Sequence, residues 1–389
     1  MKELKVGIIG IGNMGHTHAK NIFEGKINRL KLIAVCDVDK SKLEKAKEEF
    51  PSILTFENAD ELLKSNVVDA VIIATPHYYH TEIAIKAFEA GLNVLTEKPA
   101  GVRASDVLKM NSAAEKSGKV FGIMWNQRTN PLFKKAKELV ENGTLGSMKR
   151  MVWIITNWYR TQSYYDSATW RATWSGEGGG VLLNQAPHNL DLWQWIFGMP
   201  DAIYASCDVG KWHNIEVEDD ATIIGYYKNG ATATFITSTG EYPGTNRLEI
   251  SGSKGKMVLE KGKLTLTLTN DDEREFCYTC PEGFPCFETN ETVFEQNEKE
   301  SSHNGILQNF TDAILDGTPL LAPGYDGIKE ITLSNAAYLS SWTGEKVELP
   351  MDNSKFNTEL EKRIATSMGE RSVGEKKAKG QSSRWQVNW

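Results

Sequence analysis

Cysteine is scarce: five residues in 389, an odd number. Such a count argues against a disulfide-stapled secreted module and fits a reducing compartment. Three of the five fall together as Cys277, Cys280 and Cys286 in CYTCPEGFPC, yet a structural zinc would want a fourth ligand and no cysteine or histidine lies close by. The preceding EREF reads as strand, which would turn Cys277 and Cys280 to opposite faces, so free thiols and no metal are expected. Long apolar runs are missing too. No window reaches the ~18 apolar residues of a membrane helix. The first residues, MKELKVGIIG, enter a strand pattern without a signal-peptide core. A cytoplasmic chain with no membrane partner is the expectation. Nor is there an excess of positive charge: 44 Lys plus Arg against 51 Asp plus Glu leave a net charge of −7. Nucleic acid and anionic membrane surfaces are thereby disfavoured.

What the chain does contain is two successive patterns. Up to about residue 125, β-branched runs (KVGIIG, LIAVCD, SILTF, VVDAVIIAT, LNVLTE, KVFGIMW) alternate with helical stretches, which predicts an α/β domain with a doubly wound parallel sheet over 1–126. Pro131 then opens a helix, PLFKKAKELVENG. Long strand-like segments follow (MKRMVWIITNWY, DATIIGYY, ATATFITST, NRLEISG, KMVLE, KLTLTLT), joined by turns such as KNG and GSKG. An α+β domain with an open, mostly antiparallel sheet is predicted over 127–350, including two late helices each ended by glycine. Residues 351–389 read as a charged tail that packs only if its last two tryptophans find a partner.

The first domain carries a nucleotide signature. Gly10, Gly12 and Gly15 form G-x-G-x-x-G after one strand and before a helix, with Asn13 and Met14 inside the turn. Glycines let the backbone turn tightly and approach a pyrophosphate, and the helix N-terminus that follows is electropositive. Asp37 ends the second strand, 22 residues past Gly15, where a carboxylate can accept from an adenosine ribose. A 2′-phosphate would meet that charge, and no arginine follows in DVDKSK, so NAD is favoured over NADP. His16 and His18, two residues apart on the next helix, read as packing or surface residues.

The fifth strand ends in Glu97, Lys98 and Pro99, and ligands of open α/β sheets bind outside the carboxyl ends of the strands. This EKP, the ATPHYYH after the fourth strand and GGGVLLNQAPHNLD further on together resemble the Gfo/Idh/MocA oxidoreductases. The resemblance runs from Val6 to about Pro350. It implies a two-domain, nicotinamide-dependent enzyme acting on sugars or cyclitols, with Lys98 and His188 at the chemistry. Where that family often has aspartate four residues before the histidine, this chain has Asn184. Thr75 and Pro76 of ATPHYYH, and Glu97 beside Lys98, are expected to line the cofactor; His80, on the helix that follows, matches another family position, with site lining and a local cap both open.

Pro187 suits the first turn of a helix, which places His188 at its positive end, where imidazolium is disfavoured and a neutral ring can accept a proton. Oxidation of a secondary alcohol needs such a base, and the Lys98 ammonium can stabilise developing alkoxide character. Asp191, three residues on, is a candidate to orient the ring. Asn126 and Arg128 in WNQR could reach cofactor oxygens or join the domains. His77, His213 and His303 carry no signal.

Between 157 and 175, NWYRTQSYYDSATWRATWS holds six aromatics in nineteen residues with Arg160, Gln162 and Arg171. Aromatic faces suit sugar C–H surfaces, so Tyr165, Trp170 and Trp174, with those donors and with Asn184 and His188, form a predicted substrate platform. A subunit interface of a homo-oligomer uses the same residue types. Together with LLNQAPHNLDLWQW the segment resembles a subgroup found in gut bacteria that oxidises C- or O-glycosides at the sugar C3 hydroxyl, which implies a plant-type glycoside or sugar as substrate and a partner lyase acting on the keto product. A hydrolase that retains its NAD, an inositol or free-sugar dehydrogenase, and a non-catalytic cofactor-binding protein stay open beside it.

Overall fold

The computed structural model of the chain describes residues 2–296 and 301–368. These form two compact units: residues up to Thr129 with Ser301–Ile331, and the remaining described residues from Asn130 onward.

In the first unit β1 (Leu4–Ile9), β2 (Leu30–Cys36), β3 (Leu54–Phe56), β4 (Ala70–Ile73), β5 (Asn93–Thr96) and β6 (Phe121–Ile123) make one sheet in the order β3-β2-β1-β4-β5-β6. Every pairing in it is parallel. The reversal of order beside β1 is the place where such sheets receive ligands. β4 is buried at all four residues, as expected for a central strand covered on both faces.

The helix Ser302–Asp316 belongs to this unit although it follows the second sheet in the chain. Its Phe310 ring packs against Gly122 of β6. Ile123 N–H donates to the Ala322 carbonyl at 3.1 Å, and Arg29 pairs with Asp312 at 2.8 Å. A contiguous boundary near 127 could not foresee this return.

The second unit is built on β7 (Met148–Ile155), β8 (Ala202–Val209), β9 (Glu218–Tyr226), β10 (Thr232–Ser238), β11 (Asn246–Gly252), β12 (Gly255–Glu260), β13 (Lys263–Thr269), β14 (Thr289–Glu295) and β15 (Val347–Glu348). Their order is β14-β13-β12-β11-β7-β10-β9-β8-β15. β7 and β10 pair in parallel, and the other pairings are antiparallel. Alternation along β7 and β10 buries Met151, Trp153, Ile155, Ala233 and Phe235 on one face. Phe133 of the helix Pro131–Glu141 and Trp193 of the helix Pro187–Ile196 pack there, with ring centroids 5.9 Å from Trp153 and 6.1 Å from Phe235 respectively. Anchoring the second of these helices is what fixes the position of His188.

Two local readings need correction. EREF is not a strand: Asp272 caps the helix Glu273–Thr279 by accepting from Arg274 N–H at 3.0 Å, and two glutamates in the first turn favour it. All five cysteines are free thiols, and Cys277 and Cys286 are exposed. After Pro350 the chain forms the helix Asn353–Thr366, which buries Phe356 and Leu360. Phe356 stacks on Trp342 at 5.5 Å. Trp385 and Trp389 lie outside the described residues. Among the described residues no helix is long and apolar enough to cross a membrane.

Candidate active site

The turn after β1 fits a dinucleotide. Gly10 has φ +92°, and a Cβ on Gly15 would sit 1.8 Å from the Gly10 carbonyl oxygen, so only glycine lets the helix Asn13–Phe23 start this close to the strand. Over Gly12 a Cβ would meet nothing within 4 Å, leaving room for a phosphate at the helix N-terminus. Asp37 accepts from Ile11 N–H at 2.8 Å and from Asp39 N–H at 2.9 Å, which places its carboxylate beside the same turn. Lys42 approaches it at 3.3 Å. Gly10, Gly12, Asn13, Met14, Gly15 and Asp37 are thereby brought together.

Lys98 follows β5, and its loop is braced from beneath by Glu97, which was expected to line the cofactor, and by His18, which was expected only to pack or to lie at the surface. The Lys98 backbone N–H donates to Glu97 Oε2 at 3.2 Å, while Glu97 Oε1 lies 2.6 Å from His18 Nε2. His18 is fully buried and Glu97 nearly so. Burial pushes the Glu97 carboxyl up. The His18 hydrogen bond and the charges of His18, His303 and Lys98 outweigh that push and hold it at about 2. Burial lowers the His303 imidazole to about 4, against the pull of Glu97. Glu97 therefore faces inward as a brace rather than outward to a cofactor.

His80 has the same character. Its Nδ1 lies 2.8 Å from the Pro99 carbonyl oxygen and its Nε2 2.7 Å from that of Thr75, so it bridges the loop after β4, with Thr75 and Pro76, to the Lys98 loop. Burial lowers its pKa, while the two carbonyls oppose the shift. Asn126 donates to Ser302 Oγ at 3.0 Å. Arg128 is 1 % exposed and pairs with Asp326 at 2.8 Å, which makes it a strut between the Asn126–Thr129 turn and the 321–326 segment instead of a ligand contact.

In the second unit the glycine cluster answers to close packing. A Cβ on Gly180 would fall 1.8 Å from the Glu218 carbonyl oxygen, and one on Gly179 2.2 Å from the Tyr338 hydroxyl. The Glu218 carboxylate accepts from Gly180 N–H and Leu182 N–H, both at 2.9 Å, and from the Tyr338 hydroxyl at 2.7 Å. Burial pushes Glu218 up to about 7 although those three donors oppose it. The short helix Val181–Asn184 hangs from this carboxyl, and Pro187 stands at the start of the next helix with His188 behind it. Asp191 is buried, and its Oδ1 accepts from Gln194 at 2.9 Å.

Not every residue of the predicted platform reaches a surface. Trp174 is buried against Tyr338 and Trp342, and Tyr165 is buried with its hydroxyl 2.7 Å from Thr239 Oγ1. Both are core residues. Gln162 binds Asp166 and both backbone groups of Asn214. The part-exposed residues are Arg160, Gln162, Tyr164, Trp170, Arg171, Asn184 and His188, and the Arg160 guanidinium lies 5.2 Å from the Tyr164 ring centroid. Sequence reasoning passed over Tyr164, Glu177 and Glu218. A lone acid inside GEGGG was the one local sign of Glu177; Glu218 and His18 act through partners 36 to 120 and 79 residues away, which no local pattern reveals.

The glycine turn, the acid at the end of β2 and a lysine at the end of β5 define an NAD-dependent dehydrogenase acting on CH–OH groups. Two family models match: the NAD-binding Rossmann fold of an oxidoreductase family over residues 4–124, and the GFO/IDH/MocA C-terminal domain over residues 133–258. The chain belongs to the Gfo/Idh/MocA oxidoreductase family. It is 26 % identical over 354 residues to the myo-inositol 2-dehydrogenase of Thermotoga maritima, covering 89 % of this chain and 98 % of that one. Among solved structures it resembles the WlbA dehydrogenase from Chromobacterium violaceum in complex with NADH and UDP-GlcNAcA, with TM-score 0.76, 26 % identity, and 90 % and 97 % of the two chains covered. A levoglucosan dehydrogenase in complex with NADH and levoglucosan shares the fold, with TM-score 0.74 at 21 % identity over 90 % of this chain and all of the other.

Proposed function

We propose that the protein oxidises a secondary hydroxyl, that at C3, of a sugar or glycoside, with Lys98 and His188 serving the reacting oxygen. The observation that carries this reading is the placement of Lys98: a cation at the end of β5, on a loop tied by His80 and Glu97 to the phosphate-binding side of the sheet. A lysine whose loop is braced by two buried histidines, His80 directly and His18 through Glu97, is held for a task, whereas a solvated surface lysine needs no such support.

NAD, when bound, supplies the hydride acceptor. Gly10, Gly12, Gly15 and the start of the helix Asn13–Phe23 hold its phosphates, and Asp37 its ribose. His188 takes the hydroxyl proton as the carbinol C–H bond breaks, and Lys98 stabilises negative charge on the oxygen until the carbonyl forms. Trp170, Arg171, Asn184 and Arg160 supply a face and donors for the ring hydroxyls. A keto group at C3 makes the neighbouring C2 hydrogen acidic, which would prepare a glycoside for a partner lyase. The familial likeness to inositol and sugar dehydrogenases supports the substrate class.

The test is incubation with NAD⁺ and a panel of free sugars, inositols and aryl glycosides, reading absorbance at 340 nm and product mass. Loss of two hydrogens with NADH release supports the reading, and Lys98→Met or His188→Gln should lower kcat by at least ~100-fold with NADH binding retained. Free aglycone without net NADH would assign a hydrolase instead. Activity on inositols alone would move the substrate away from glycosides.

A further inference from the structure

The part-exposed Tyr164, Arg171 and Asn184 join the buried Glu177 in a closed polar circuit. Arg171 Nη1 donates to the Tyr164 hydroxyl at 2.7 Å, and that hydroxyl lies 3.4 Å from Asn184 Oδ1. The Asn184 side-chain N–H donates to Glu177 Oε1, and the same carboxylate oxygen stands 3.8 Å from Arg171 Nη1. Glu177 Oε2 accepts from Ala172 N–H at 2.7 Å. Gln185 Nε2 reaches the Tyr164 hydroxyl at 3.2 Å. The Arg171 guanidinium lies over the Tyr164 and Trp170 rings, 4.5 and 4.8 Å from their centroids. Side-chain exposure is 11 % for Arg171 and 2 % for Glu177.

One cation and one anion thus cancel at close range in a nearly dry setting, where an unmatched charge is costly. Arginine is the side chain best suited to grip a sugar carboxylate, by a planar two-pronged hydrogen bond. Here a buried carboxylate already answers its charge. Admitting a uronate would require Arg171 to turn from Glu177, leaving that acid buried without its cation, or would bring a second carboxylate beside it. Arg160, the other cation of the segment, turns Nη1 back onto the carbonyls of Trp158 and Tyr159 at 3.1 and 3.0 Å.

We propose that Glu177 is a specificity-determining and positioning residue: by neutralising Arg171 and fixing the Asn184 amide, it sets the site for an uncharged sugar ring and against the corresponding uronic acid. The inference rests on the proposed function, deepening it to a substrate class. A hydroxyl-bearing neutral ring can use Arg171, Asn184 and the Trp170 face without disturbing the ion pair.

The experiment compares an aryl glucoside with the matching aryl glucuronide, both with NAD⁺, in the wild type and in Glu177→Gln and Glu177→Asp. The wild type should favour the glucoside in kcat/KM. Glu177→Gln, which releases Arg171, should move the glucoside-to-glucuronide ratio toward the glucuronide by at least ~10-fold, chiefly through KM for the acid. Glu177→Asp keeps the charge and should hold the ratio near the wild-type value even if both rates fall. Equal loss on both substrates in Glu177→Gln, or a wild type that prefers the glucuronide, overturns the inference. Should the wild type oxidise neither compound, nor any sugar or glycoside of the panel, the proposed function falls separately. Calorimetric binding of the two glycosides to the NADH-loaded protein then decides: a gain for the glucuronide in Glu177→Gln supports the role, and unchanged affinities refute it.

Discussion

Replacing Glu97 by Gln should loosen the strand that presents Lys98, and its pH dependence separates an electrostatic cause from a packing one. In the native protein the carboxyl is held at about 2 against an ordinary value of 4.5. A folded-state pKa below the unfolded one gives stability that is complete above the unfolded value and disappears as pH falls through the folded one. The window is therefore pH 4.5 down to 2. A difference of about 2.5 units corresponds to about 3 kcal/mol. At pH 7 the Gln variant puts a neutral amide where the carboxylate meets the fully buried His18 at 2.6 Å, so a loss of about 3 kcal/mol is expected there. The gap between wild type and variant should shrink as pH drops below 4.5. Two units need not unfold together, so the assay should be local: hydrogen exchange read by mass spectrometry on peptides spanning 13–23 and 93–98. Equal protection of these peptides in both proteins at pH 7, or a difference that does not change with pH, would refute the argument.

His303 acts in the same direction. Its folded value of about 4 lies below the ordinary 6.5, so the stability it confers is present above pH 6.5 and is lost as pH falls through 4; exchange in the Ser302–Asp316 helix should rise over that range and stay flat in His303→Gln. Glu218 behaves oppositely: raised to about 7, it favours the folded state fully below pH 4.5 and loses that effect as pH climbs through 7, a change of about 3 kcal/mol that Glu218→Gln should remove from urea unfolding profiles. In Gly15→Ala the new methyl must displace the Gly10 carbonyl, so NADH binding followed by fluorescence should weaken at least ~10-fold. Phe356→Ala empties a fully packed site against Trp342 and should cost about 3–5 kcal/mol in thermal melting without altering NADH affinity.

Much of the first unit could be read without coordinates. Period and composition located all six of its strands: a parallel strand buried on both faces must be an apolar β-branched run between turn signals, and the part-exposed edge strand β3 was marked by the run SILTF. The glycines of the first turn, Asp37 and Lys98 were legible because each is defined by its place along the chain relative to a strand end. In the second unit the stronger strands showed themselves by alternation. β8, with its exposed Tyr204 and Ser206, and β14, exposed along nearly all its length, carry weak patterns and were passed over.

Capping chemistry decided against a local reading at Asp272, where an acid-led turn outweighed the strand-like look of EREF. The division between exposed and buried aromatics of 157–175 was likewise invisible: Trp170 and Trp174 are four residues apart, and only packing against Tyr338 and Trp342 sends the second into the core. Side-chain types and their spacing located the glycine turn and the lysine that follows β5, whereas the roles offered for Lys98 and His188 in proton and charge handling came from the family resemblance. Tertiary structure alone decided which groups support them, because His18 with Glu97, Glu218 with Gly180 and Leu182, and Arg29 with Asp312 are contacts between segments far apart in the chain, and such contacts leave no local period to read.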